Sequence, residues 1–192
     1  MNKPLALSFL LAALAGCSNM PSAKSSSAMP SSSSSTASFS QDALPAAVQV
    51  PAGNRVTMQT VGEGEITYQC REKQAAAGQY EWFFVGPKAV LSDRSGSKVG
   101  TYYGQPATWE STDGSRLTGT QVAVAPAAAG NIPYQLVKAN PAMGQGKMTG
   151  VTYIQRVATR GGVPPATSCA ATTLGRNEVV QYRADYIFWS GM

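Results

Sequence analysis

Val179-Val180-Gln181-Tyr182-Arg183-Ala184-Asp185-Tyr186-Ile187-Phe188-Trp189 decides the fold of this chain. Val180, Tyr182, Ala184, Tyr186 and Phe188 recur every second residue, and Gln181, Arg183 and Asp185 fill much of the alternate register. Successive side chains of a β-strand point to opposite faces, so the pattern predicts a strand with one face in a core. Ile66, Tyr68 and Cys70 repeat it against Thr67, Gln69 and Arg71, and Tyr134 to Lys138 alternates again. Glu81 to Val85 is aromatic and apolar, as suits a buried strand. Val99 to Tyr103, Gln121 to Ala125 and the β-branched run Val151 to Val157 are further short strand segments. Turn signals separate the runs: Gly62-Glu63-Gly64, Asp93-Arg94-Ser95-Gly96, Asp113-Gly114, Gly161-Gly162 and Pro164-Pro165. About seven or eight short strands at this spacing predict one all-β antiparallel domain over residues 46–192, a sandwich or a barrel. Glu72 to Ala77 reads as a short helix or a loop, its alanines favouring the former.

The start of the chain is of another kind. Lys3 is followed by an apolar run, Leu5 to Leu14, and then by Ala15-Gly16-Cys17. A basic start, a short hydrophobic centre and small residues at the cut make a secretory signal over residues 1–16, too short for a membrane span of ~20 apolar residues. Leu14-Ala15-Gly16-Cys17 resembles a bacterial lipobox, which implies that Cys17 is lipidated and becomes the mature N-terminus. The competing reading is an ordinary cleaved signal with a chance cysteine. Ser18, in place of aspartate, resembles the outer-membrane sorting signal of Gram-negative lipoproteins. Residues 17–45 are serine-rich, with a block at Ser31–Ser35, and are predicted to form a flexible tether reaching roughly 30 Å.

Lysine and arginine number 15 and aspartate and glutamate 10, a net charge of +5. The basic residues are scattered, without the stripe that tracks a phosphate backbone, so nucleic acid is not an expected partner. Beyond Cys17 the cysteines are Cys70 and Cys169. In an oxidising compartment such a pair usually forms a disulfide, here closing a loop of about 100 residues and tying the first strand to the penultimate segment; two buried free thiols are the alternative.

The chain has no histidine. That removes serine–histidine and cysteine–histidine nucleophile systems and the commonest transition-metal ligand. Cys70 and Cys169 lack the paired spacing of a zinc site, and neither a metal nor another cofactor is expected. Ser95-Gly96-Ser97-Lys98 matches the serine–x–x–lysine pattern of penicillin-binding enzymes but sits in a glycine turn without the partner motifs. Gly144, Gly146 and Lys147 lack the spacing of a phosphate loop. Glu110 and Asp113 could serve as paired carboxylates, although Asp113-Gly114 is also a strong hairpin-turn dipeptide. Tyr102, Tyr103, Trp109 and Glu110, with Arg156 and Arg160, make a better candidate site: aromatic faces stack on a sugar or planar ligand, and arginine pairs a carboxylate. Against it, Tyr103 and Trp109 in strands could be core packing, with the arginines at the edge of the sheet.

Several segments together resemble the family called domain of unknown function 3455. They are Gly62-Glu63-Gly64-Glu65-Ile66-Thr67-Tyr68-Gln69-Cys70, Val99-Gly100-Thr101-Tyr102-Tyr103-Gly104 leading to Trp109-Glu110, Asp113-Gly114-Ser115, Ile154-Gln155-Arg156-Val157-Ala158-Thr159-Arg160-Gly161-Gly162 ending at Cys169, and Ala184-Asp185-Tyr186-Ile187-Phe188. The resemblance runs from Leu44 to Trp189 and implies a secreted, all-β domain with Cys70 and Cys169 paired. It implies no activity. Members of the family often carry a histidine near the Tyr102 position, which this chain lacks.

The expectation is a non-enzymatic lipoprotein of the bacterial cell envelope. Cys17 would anchor it to the outer membrane, and its β domain would bind a small acid, a glycan or an envelope partner. The competing expectations are a histidine-free hydrolase or lyase using Glu110 or Asp113 with Arg156, and a structural subunit of an envelope assembly.

Overall fold

The computed structural model describes residues 39–192. The signal at 1–16, Cys17 and the tether up to residue 38 lie outside the described residues. Eight strands follow in chain order: β1 Asn54–Glu72, β2 Tyr80–Ser92, β3 Lys98–Tyr103, β4 Thr108–Ser111, β5 Arg116–Ala125, β6 Tyr134–Ala139, β7 Val151–Gly161 and β8 Asn177–Gly191. Each pairs antiparallel with its neighbours, and β1 pairs with both β2 and β8, so the sheet closes on itself. The all-β antiparallel expectation holds, and of sandwich and barrel the hydrogen-bond ring is the barrel. Every strand thus has a partner on both sides, although β2 begins at Tyr80 and meets β3 only from Lys88 onward.

Alternation decides what fills the barrel. Ile66 and Tyr68 of β1, Leu91 of β2, Ile154 of β7, and Tyr186 and Phe188 of β8 are all buried in one cluster. The outward register carries Glu63, Lys88 and Arg183. An apolar interior and a charged exterior reverse the arrangement by which a membrane barrel meets lipid.

Gly62-Glu63-Gly64, expected as a turn, lies inside the 19-residue β1. Both glycines are needed for close approach. A Cβ on Gly62 would come 2.5 Å from the Tyr186 ring, and one on Gly64 would collide with the Lys88 carbonyl of β2. Glu72 to Ala77 is the end of β1 and a turn into β2, the loop of the two readings. Thr108–Ser111 is a strand that the sequence does not announce.

Packing also begins upstream of Ala46. Phe39 meets Trp189 edge to face, with ring centroids 6.2 Å apart. Val48 and Val50 are buried on the outside of the barrel against Leu136, Val157, Ile187 and Trp189, and Leu44 joins them. The fully buried Gln155 fastens this strap: its Nε2 donates to the Val48 carbonyl and to Gln41 Oε1, and its Oε1 accepts from Trp189 Nε1. Residues 39–50 are therefore part of the folded domain.

Cys70 of β1 and Cys169, in the loop before β8, form a disulfide with Cα atoms 5.3 Å apart and a sequence separation of 99. A loop of that length contributes ~4.7 kcal/mol in the chain-entropy account.

Candidate functional site

The six candidate site residues go to four places. Tyr102 on β3 and Trp109 on β4 are register partners, and both point inward. Their rings stack at 4.6 Å with Tyr186 beside them, and Trp109 is 1% exposed. They are core, so the expectation that they stack on a ligand is corrected: the alternation of β3 and β4 turns them into the barrel. Trp109 Nε1 is buried without a hydrogen-bond partner among the described residues.

Tyr103 and Glu110 occupy the opposite register, on the outside. The Tyr103 hydroxyl donates to Glu110 Oε2 at 2.5 Å, and this bond, with minor contributions from burial and from the Glu110 charge, raises the phenol's pKa.

Arg156 and Arg160 on β7 part company. Arg156 shares the inward register of Ile154 and donates through Nε and Nη2 to the Pro133 carbonyl at 3.3 and 3.0 Å. The phenols of Tyr68, Tyr102, Tyr182 and Tyr186 are raised chiefly by burial, and the Arg156 charge opposes that rise at each. A bulge then lies between Val157 and Arg160, with Ala158 at φ 49°. The extra residue reverses the alternation, so Arg160 faces outward opposite Arg183 of β8.

Asp113 is a turn residue. Its Oδ1 accepts from the Ser115 hydroxyl and backbone N–H, and its Oδ2 accepts from the Lys147 N–H. The Ser115 hydroxyl bond first, then the two backbone bonds, hold its carboxyl well below the usual range. A carboxylate so stabilised is a poor general acid or base at neutral pH. Lys147 and Gly146, read as a loop, form the surface that this carboxylate pins. Ser95 and Ser97 likewise serve a turn, both donating their N–H groups to Asp93 Oδ1.

Outside the barrel, β1, β2 and β3 form a groove of about 630 Å³. Glu63, Glu65, Lys88, Val90, Lys98 and Tyr103 line it. Lys98 and Thr101 also border a smaller hollow that contains Glu110. The groove therefore offers two ammonium groups, two carboxylates, an exposed valine and an aromatic edge. Sequence reading singles out Tyr103 and Glu110 here but not the lysines or Glu63 and Glu65. Their signal is the outward register of three adjacent strands, which becomes legible only once the strand pairing is known.

A family model described as protein of unknown function (DUF3455) matches residues 51–190. No curated protein and no solved structure matches the chain.

Proposed function

The chain belongs to the DUF3455 family, and from that premise we propose that it is a lipid-anchored binding module of the bacterial cell envelope that takes a small acid or a glycan in the β1–β3 groove. The groove carries the reading. Its lysines suit a carboxylate, its glutamates suit sugar hydroxyls, and Tyr103 gives a face or edge to a sugar ring. The barrel behind it is packed with Trp109, Tyr186 and Phe188 and serves as a rigid support. Leu14-Ala15-Gly16-Cys17 supports anchoring through Cys17, Ser18 supports sorting to the outer membrane, and the serine-rich stretch supports a tether that holds the barrel off the lipid. The hydrolase reading is the weaker one, because Asp113 is occupied in its turn and Arg156 lies on the inner register of β7, whereas Glu110 faces outward.

The test is thermal unfolding of the full chain against organic acids, sugars and cell-wall fragments. A ligand of the native state at a hundredfold excess over its dissociation constant adds ~2.7 kcal/mol. The expected result is a shift that Tyr103→Ala or Lys88→Ala removes while the unliganded transition stays in place. A shift that survives both substitutions, or none with any compound, overturns the groove.

A further inference from the structure

A second hollow on the outer wall, about 350 Å³, lies between β1, β8 and the β2–β3 turn. Gln59 and Val61 of β1, Arg94 of the turn, and Arg183, Asp185 and Ile187 of β8 line it. It is distinct from the β1–β3 groove, although Glu63, which lines that groove, accepts from Arg183 Nε at 2.8 Å.

Its charges are unbalanced in an informative way. Arg94 donates to Gln59, a neutral partner. Arg183 and Arg160 face each other across β8 and β7, a like-charge juxtaposition that Glu63 relieves on the Arg183 side. Asp185 sits among them, yet forms no ion pair with any described residue, and its Oδ1 is buried without a hydrogen-bond partner among those residues. Buried polar atoms in native proteins almost always have partners. Arg94 and Arg183 each spend one N–H inside the chain, and the Asp185 carboxylate that lines the hollow with them has no partner among the described residues, which leaves donors and an acceptor for a molecule from outside.

We propose that this hollow binds a small hydroxylated anion, a sugar acid or sugar phosphate, with its anionic group between Arg94 and Arg183 and a hydroxyl donating to the carboxylate of Asp185 where it lines the hollow. Guanidinium groups suit both carboxylate and phosphate, while a carboxylate acceptor selects for a hydroxyl beside the charge. Arg160 adds to the local positive field. Burial raises the carboxyl pKa of Asp185, more than Arg183, Arg94 and Arg160 together lower it. Asp185 is thus an unfavourable residue for the empty barrel, as binding residues often are.

Calorimetric titration of the full chain with glucuronate, glycerol 3-phosphate, methyl glucoside and inorganic phosphate tests this. The two hydroxylated anions are expected to bind, with the neutral glucoside and inorganic phosphate at least about tenfold weaker. Arg94→Ala, on an exposed turn that lines this hollow and not the β1–β3 groove, is expected to weaken the hydroxylated anions about tenfold. Asp185→Asn is expected to abolish the preference over inorganic phosphate without lowering the melting temperature. A purely structural Asp185 predicts the reverse, lower stability with unchanged binding. Silence with both hydroxylated anions, inorganic phosphate bound as tightly as glucuronate, or binding indifferent to Arg94→Ala overturns the proposal.

Discussion

Strand β8 has two outer surfaces, and they differ in what covers them. Near its C-terminal end, Ile187 and Trp189 point away from the barrel interior and are buried beneath residues 39–50. A few residues earlier, Gln181 is exposed and Arg183 and Asp185 are half-buried. Both stretches lie on the same face of the same strand, so intrinsic strand preference cannot separate them. The difference is the strap: beneath it the outward residues of β8 are the apolar Ile187 and Trp189, and beyond it they are Gln181, Arg183 and Asp185.

The strongest way to break this comparison is to truncate one residue on each side of it. Trp189→Ala removes a large side chain that is 7% exposed and supports Phe39, Val48 and Val50, and should cost about 3–5 kcal/mol. Arg183→Ala removes a surface ion pair with Glu63 and should cost under about 1 kcal/mol. Urea denaturation of the two variants measures both. Equal losses would mean that the strap adds nothing to the wall it covers.

A finer cut keeps the apolar contacts and removes only the polar fastening. Gln155→Ala leaves the Val48 carbonyl and Trp189 Nε1 without their partners in a buried place, a loss of about 1–3 kcal/mol. The same change frees Gln41, whose Oε1 also accepts from the Val50 N–H at 2.7 Å. Hydrogen exchange at the Val50 amide should quicken more than exchange in β3 or β4. Uniform acceleration would show that the strap and barrel open as one unit.

The alternation of β8 was legible because an apolar residue at every second position has one physical solution in a half-buried strand. The glycines of β1 were not, because a glycine that permits close approach looks the same in sequence as one that permits a turn. Gly62 acquires its meaning only from Tyr186, which lies more than a hundred residues away. Phe39, Leu44, Val48 and Val50 are sparse apolar residues at the end of a serine-rich stretch, and their partners are likewise distant. The candidate site divided for a related reason. Tyr102 and Tyr103 are neighbours in sequence, but a one-residue step in a strand moves a side chain to the other face. Arg156 and Arg160 would share a face in a regular strand, and the bulge at Ala158 separates them. The hollow at Asp185 needed the β2–β3 turn to bring Arg94 over the wall. Composition shows each of these residues; pairing and packing decide which of them meet.

The smallest expected effect contrasts two aspartates, one in a turn and one on the open wall. Asp113 has its folded pKa lowered by the Ser115 hydroxyl and by the Lys147 and Ser115 N–H groups, so its stabilising effect is present above the unfolded value of about 3.9 and fades as pH falls below it. Asp93 behaves alike, chiefly through Ser95. Asp185 has its folded pKa raised by burial, so the folded state holds its proton more tightly and ionisation costs stability as pH rises through that range. Asp113→Asn places an NH₂ group against the Lys147 N–H and should lower the urea midpoint at neutral pH while flattening its decline in acid. Asp185→Asn should raise the neutral midpoint and leave the acid one nearly unchanged. The two profiles, measured between about pH 3 and pH 7, should therefore depart from the parent in opposite directions at neutral pH. Parallel profiles would place Asp185 with the turn residues and remove the energetic contrast between turn and open wall.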